Sequence, residues 1–302
     1  MCGIVGLFLK SKALEPQLGS MLSQMLGVMD DRGPDSAGFA VYGAGDPSTV
    51  KLTLRSDGGE RIEGVAAALQ EHLGQDPGQD LGSSQRGSHL VLTIPKDAEQ
   101  RVRNWLAAHH PEVRVVGAGS RMELYKEVGL PSDVAERFAL KSMSGTHGIG
   151  HTRMATESAV TTDGAHPFST GVDQCLVHNG SLSNHNGVRR YLERDGLTFQ
   201  TENDTEVAAA YLTWRMRQGI DLKSALEACL SDLDGFYTFV VGTESGFAVV
   251  RDPIACKPAV MAETDDYVAF GTEYRALVGL PGIENARVFE PEPAKVYVWE
   301  RH

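Results

Sequence analysis

Cys2 stands directly behind the initiator methionine in Met1-Cys2-Gly3-Ile4-Val5-Gly6. Loss of Met1 makes one residue the carrier of both a thiol and a free α-amine. That pairing matters because a nucleophilic side chain needs a base beside it. An α-amine titrates near ~7.7–8.0 and a thiol near ~8.5, so proton exchange between them at neutral pH is cheap. A sulfur attacking an amide carbonyl then needs donors aimed at the developing oxyanion. Asn179-Gly180 at a strand end offers two, a side-chain amide and a backbone N–H, and Gly180 permits close approach of a substrate. A free amino acid as substrate further needs a cation for its α-carboxylate and an anion for its α-ammonium. Arg153, in a polar turn, presents a planar fork suited to a carboxylate, and Asp204, at a helix start, supplies the anion. Each such charge-assisted bond is worth roughly 1.5–3 kcal/mol, enough together to demand a free amino acid over a peptide. Taken singly, Cys2 also reads as a small buried residue opening a strand, Arg153 as a surface ion pair and Asp204 as a helix cap. The chemistry lies in their combination.

These residues need elements to hold them. Gly3–Leu9 is apolar throughout and reads as a buried strand. Leu18, Met21, Leu22, Met25, Leu26 and Met29 recur at helical spacing, so an amphipathic helix follows over Leu14–Met29. Asp31-Arg32-Gly33-Pro34-Asp35-Ser36 is rich in turn formers and leads into a strand at Phe39–Tyr42. Arg32 there belongs either to a plain turn or to a polar wall against the N-terminal residue. Alternating segments come next: strands at Val50–Leu54, His89–Ile94 and Val113–Val116, a helix at Ala98–Ala108, and helical stretches near Met122–Val128 and Asp133–Ala139. They suggest an α/β segment inserted at about 55–145. Gly117-Ala118-Gly119 lacks the third glycine of a dinucleotide turn.

Beyond Gly148, one strand ends at Gly150-His-Thr-Arg153 and another, Gln174–His178, runs into Asn179. Asp204 and Thr205 are candidate caps of a long helix, and Leu222–Leu233 forms a further one. Strands at Phe236–Val241, Phe247–Arg251, Ala259–Met261, Tyr267–Phe270 and Lys295–Trp299 close the chain. Sheet residues therefore come from both ends, which argues for a single catalytic domain over 1–302 carrying the insertion.

The bulk properties exclude several classes. A net charge of −12 over 302 residues argues against nucleic acid as a main partner. No apolar run approaches the ~18 residues of a membrane span, and the N-terminus lacks the basic region and cleavage site of a signal peptide. Cys2, Cys175, Cys229 and Cys256 are scattered without CxxC pairing. They fit reduced thiols in a cytoplasm, with no metal site.

Six motifs occur in an informative order: Cys2-Gly-Ile-Val-Gly, Arg32-Gly-Pro-Asp-Ser-Ala-Gly38, Gly150-His-Thr-Arg-Met-Ala-Thr156, Ala165-His-Pro167, His178-Asn-Gly180 and Asp204-Thr-Glu206. Arg251-Asp-Pro253, Lys257-Pro258 and Thr272-Glu273 follow. In this the chain resembles the glutaminase domains of class II glutamine amidotransferases, which are N-terminal-nucleophile (Ntn) hydrolases. The resemblance implies an α+β fold, a four-layer α-β-β-α sandwich of two antiparallel sheets. It also implies roles. Cys2 is the nucleophile with its α-amine as base, Asn179 and Gly180 form the oxyanion hole, Arg153 and Thr156 hold the carboxylate, Asp204 holds the ammonium, and Arg32 lies in the loop that orders the site.

Departures are visible as well. Met154 stands where most members have Trp, Glu157 replaces the His of sugar-aminating members, and the insertion is long. The chain stops where others continue into a synthase domain. This organisation resembles stand-alone glutaminase subunits related to glutamate synthase, such as the small subunit of N-methylglutamate synthase. By that resemblance the substrate is L-glutamine and ammonia passes to synthase subunits on separate chains, in a hetero-oligomer. No cofactor is expected in this chain, and flavin and iron–sulfur groups belong to the partners. The alternatives are a non-catalytic docking or regulatory subunit, or an Ntn hydrolase acting on another amide.

Overall fold

The computed structural model describes residues 2–56, 62, 64–73, 81–155 and 159–301. Strand β1 (Gly3–Leu9) leads through a 3₁₀ turn to helix α1 (Leu18–Gly27), then β2 (Ser36–Tyr42) and β3 (Thr49–Ser56). Helix α2 (Val65–Leu73), β4 (Gly82–Arg86), β5 (His89–Pro95), α3 (Glu99–His109) and β6 (Val113–Gly119) come next. The chain continues through β7 (Met122–Val128), α4 (Pro131–Arg137), β8 (His147–Arg153), β9 (Phe168–Gly171) and β10 (Gln174–Leu182). Helices α5 (His185–Arg194), α6 (Asp204–Arg217) and α7 (Leu222–Asp232) precede β11 (Gly235–Gly242) and β12 (Gly246–Arg251). The last strands are β13 (Val260–Glu263), β14 (Tyr267–Gly271), β15 (Arg287–Phe289) and β16 (Val296–Glu300).

The strands form a seven-stranded sheet ordered β15-β13-β14-β1-β8-β2-β7, a five-stranded sheet ordered β16-β12-β11-β10-β9, and a four-stranded sheet ordered β4-β5-β3-β6. Alternation along the central strands explains how the layers stack. Val5, Leu7 and Leu9 of β1 pack with Leu22, Met25 and Leu26 of α1 and Val134 of α4. Ile4 and Phe8 point the other way and meet Val177 of β10, Val240 of β11 and Phe247 of β12. On the outer face of that second sheet, Leu176, Tyr237 and Phe239 pack on Leu192 of α5, Val207 and Leu212 of α6 and Leu226 of α7. The order is helices, sheet, sheet, helices: the expected four-layer sandwich. A strand buried on both faces must be apolar at every position, which is why β1 shows no alternation in its sequence. Each fully buried Leu, Ile or Phe there contributes about 1.5–3 kcal/mol relative to exposure.

The four-stranded sheet has its own core, where Leu52, Leu54, Leu90 and Leu92 lie against Leu69 of α2 and Trp105 of α3. Its strands span Thr49 to Gly119, so it begins before the expected insertion and ends well inside it. Met122–Val128, expected as helical, is instead the edge strand of the seven-stranded sheet, paired with β2 from Tyr42↔Met122 to Ser36↔Val128. Met122, Tyr125 and Val128 mimic helical spacing. In the structure Met122 and Leu124 face the second sheet, whereas Tyr125 faces Phe138 on the other side. Gly117-Ala118-Gly119 lies within β6. Asp173 fills the space beside Gly119 and accepts the backbone N–H groups of Ser120, Arg121 and Met122 at 2.7–2.9 Å.

Candidate active site

The site lies where β1, β8, β10 and α6 end or begin together. Gly3 pairs with Thr152 across the sheet, so Cys2, one step further out, comes level with Arg153 at the end of β8. The half-buried Cys2 has its Sγ 3.9 Å from the Met154 carbonyl oxygen. Two hydrogen bonds hold the N-terminus behind it: Ile4 N–H donates to Thr272 Oγ1 at 2.8 Å, and Thr272 N–H donates to the Ile4 carbonyl at 2.9 Å. Arg32 Nε donates to the Cys2 carbonyl at 2.9 Å, and its guanidinium is ion-paired with Glu273. Those contacts fasten Arg32 to the nucleophile's own backbone. Thr272 and Glu273 show no role in the sequence beyond a motif, because their partners lie some 240–270 positions away.

Asn179 reaches the same residue from the second sheet. Its side-chain amide donates to the Cys2 carbonyl at 3.3 Å, and it is only 5% exposed. The neighbouring Gly180 has φ +150°, and a Cβ there would sit 1.9 Å from the Phe236 carbonyl oxygen. Arg153 is buried, with its guanidinium against Gly164 and an Nη1–H directed to the Ala159 carbonyl at 3.5 Å. Two residues on, Ala155 N–H donates to the Asp35 carboxylate at 2.7 Å. Thr156 and Glu157 lie outside the described residues.

Asp204 opens α6 but does not cap it. The cap is Asn203, whose side chain accepts Thr205 N–H at 2.8 Å. Asp204 is thereby released toward β10, where its carboxylate accepts Leu182 N–H at 2.9 Å and lies 3.6 Å from His178 Nδ1. Burial works to raise the Asp204 pKa, but the His178 ring and the Leu182 N–H outweigh it and hold the carboxyl at about 2. An unfolded aspartate titrates near ~3.9. With the folded value the lower, the stability from this group is complete above ~pH 4 and lost as pH falls toward 2. Urea unfolding of wild type and Asp204→Asn should therefore differ most above pH 4 and converge near pH 2, and a gap constant across that range would contradict this electrostatic account.

The structure thus brings Arg32 and Asn179 to the Cys2 backbone, sets Arg153 level with Cys2 at the end of β8 with its guanidinium toward Gly164 and Ala159, and joins Gly180 and Asp204 to Asn179 through β10. Among the described residues no group of three or more His, Cys, Asp or Glu side chains is placed to hold a metal ion. Nor is any helix among them long and apolar enough to cross a membrane.

Comparison with known proteins decides the family. Residues 151–279 match a glutamine amidotransferase domain. The chain is 63% identical over 300 residues to the glutamine amidotransferase-like protein GlxB of Rhizobium meliloti (strain 1021), covering 99% of this chain and 98% of that protein. The chain belongs to the glutamine amidotransferase family. A putative glutamine amidotransferase of Methanothermobacter thermautotrophicus is 32% identical over 308 residues, covering 99% of this amidotransferase and all of the relative. The glutamine phosphoribosylpyrophosphate amidotransferase of B. subtilis shares the fold, with a TM-score of 0.61 at 21% identity. That alignment takes in 99% of this amidotransferase but 47% of the B. subtilis chain, about half its length.

Proposed function

We propose that the protein hydrolyses L-glutamine to L-glutamate and ammonia through a γ-glutamyl thioester on Cys2. Loss of Met1 frees the α-amine, which takes the thiol proton as sulfur attacks the side-chain amide. The same proton leaves with the amide nitrogen as ammonia, and water then cleaves the thioester. Asn179 Nδ2–H and the Gly180 N–H receive the oxyanion, Arg153 and Thr156 hold the α-carboxylate, and Asp204 holds the α-ammonium. The observation that carries this reading is the convergence of Asn179 and Arg32 on the Cys2 backbone, 2.9–3.3 Å from its carbonyl, with Arg153 alongside. An Asp204 carboxyl held at about 2 stays ionised at neutral pH, as an ammonium partner must.

Ammonia protonated in water is no nucleophile, so transfer to a shielded acceptor site suits the product. We assign that site to synthase subunits on separate chains, as in N-methylglutamate synthase-like complexes, with any flavin or iron–sulfur groups on those chains. Family membership and the end-to-end match to GlxB support an amidotransferase role. Reduced Cys175 and Cys229, both buried and free, suit the cytoplasm. The test is direct. Purified protein should release equimolar glutamate and ammonia from glutamine, and intact-mass measurement should show Met1 absent from the active species. Activity with Met1 retained would remove the α-amine from the mechanism, and preference for another amide would replace glutamine as substrate.

A further inference from the structure

Three buried imidazoles and one hydroxyl lie between the segments that carry the candidate substrate contacts. Thr205, the second residue of α6, is 1% exposed. Its Oγ1 lies 2.7 Å from His166 Nε2, 3.0 Å from His178 Nδ1 and 3.4 Å from Asp204 Oδ1. His151 Nε2 lies 2.9 Å from the His178 carbonyl oxygen, and its ring stacks on His166 with centroids 4.0 Å apart. Lys126 braces the far side, its ammonium donating to the carbonyls of Asp163 and Ala165 at 3.1 and 2.9 Å.

A hydroxyl has one proton and two lone pairs. If the Thr205 proton goes to Asp204, both lone pairs remain to accept Nε2–H of His166 and Nδ1–H of His178. Burial first, and then the cationic groups around them, push the pKa of His151 to about 3 and that of His166 well down, so each carries a single N–H. His151 gives its own to the His178 carbonyl. Each N–H so placed then has an acceptor. On the two rings that burial keeps neutral, the nitrogens left without a partner, His151 Nδ1 and His166 Nδ1, are lone pairs and not orphaned donors.

We propose that Thr205 is a positioning residue whose hydroxyl fixes Asp204, the Asn179–Gly180 strand end and the Arg153 strand end in one mutual geometry. The placement of the cluster supports this. Thr205 follows Asp204 in sequence, His178 precedes Asn179, and His151 lies two residues before Arg153 on β8. The proposal rests on the glutaminase reading for its kinetic test, but its hydrogen-bond pattern stands on the fold alone. Were Thr205 only core filler, exchanging its hydroxyl for a methyl would leave the kinetics unchanged.

The experiment compares wild type, Thr205→Val and Thr205→Ser in glutamine hydrolysis. The Val variant should raise KM and lower kcat, each by about tenfold or more, since a misplacement of order 1 Å costs that much or greater. The Ser variant should restore both to within about threefold, keeping the hydroxyl without the methyl. A Val variant matching wild type, or a Ser variant as impaired as Val, overturns the proposal. Imidazole ¹⁵N NMR on the wild-type protein gives a second measurement, independent of activity and of whether Thr205→Val folds. It should show His166 protonated at Nε2 and His178 at Nδ1, and the opposite tautomer at either ring overturns the proposal. A wild type inactive on glutamine would instead sink the glutaminase reading, leaving the tautomers to decide the role of Thr205.

Discussion

Cys2→Ala protein is expected to release glutamate from glutamine at least about 10⁴-fold more slowly than wild type, because removing a covalent nucleophile forfeits the whole two-step pathway. The substitution deletes one half-buried sulfur whose closest described polar contact is the Met154 carbonyl at 3.9 Å, so it disturbs little else. Strand β1 stays anchored through Ile4 and Thr272, and Arg32 still reaches the residue 2 carbonyl, since both contacts are made by backbone atoms of the N-terminal segment. Binding of glutamine should therefore survive, with a dissociation constant by calorimetry within about threefold of the KM-limited value. Wild type should also take up one equivalent of a glutamine-mimicking electrophile at Cys2, seen as a mass shift on the N-terminal peptide. Hydrolysis by Cys2→Ala within tenfold of wild type would refute sulfur attack, whatever the binding result. Inertness of Cys2 toward the electrophile in the wild type would favour a docking subunit over an enzyme.

How much of this was legible in the sequence depended on the reach of each interaction. Strand β1 and helix α1 are readable because apolar continuity and helical spacing are local properties, and β11 to β14 and β16 are readable for the same reason, whereas the three residues of β15 are too few to show a period. The edge strand Met122–Val128 was not, because seven residues with apolar side chains on both faces show no clean period of two. Its identity is set by β2, some eighty positions earlier in the chain. In the site, the chemistry-bearing residues announced themselves through type and motif: a second-position cysteine, an Asn-Gly pair, an arginine and an aspartate. Their supports did not. Asp204 looked like a helix cap because acidic residues at a helix start usually are, and only Asn203 taking that position frees it for the site. Thr205, His166 and His151 were visible as motif letters, but a hydroxyl bridging two rings from different segments is a tertiary fact with no sequence period.

The contrast between Asn179→Ala and Gly180→Ala separates the two halves of the oxyanion site. Asn179→Ala removes a side-chain donor and leaves the backbone of β10 untouched, paired with β11 from Cys175↔Gly242 to Leu182↔Gly235. Losing one preorganised donor lowers kcat by about 10²–10³-fold, with KM nearly unchanged because the donor acts mainly on the charge that develops during reaction. Gly180→Ala keeps both donors in the covalent sense and still should lose as much or more. The added Cβ would lie 1.9 Å from the Phe236 carbonyl and 2.8 Å from Tyr237 Cα, both backbone atoms that cannot swing aside like a flexible side chain. The backbone there also sits at φ +150°, a conformation that L side chains rarely adopt, at a cost on the order of 1–3 kcal/mol. The strand end must therefore move, and the Gly180 N–H moves with it, away from the carbon attached to Cys2. Asn179→Ala should lose rate with its melting temperature within about two degrees of wild type, whereas Gly180→Ala should lose both rate and several degrees. A Gly180→Ala protein with wild-type melting and wild-type kcat would show that the close approach of β10 to β11 carries no catalytic weight, and the oxyanion role of this strand end would fall with it.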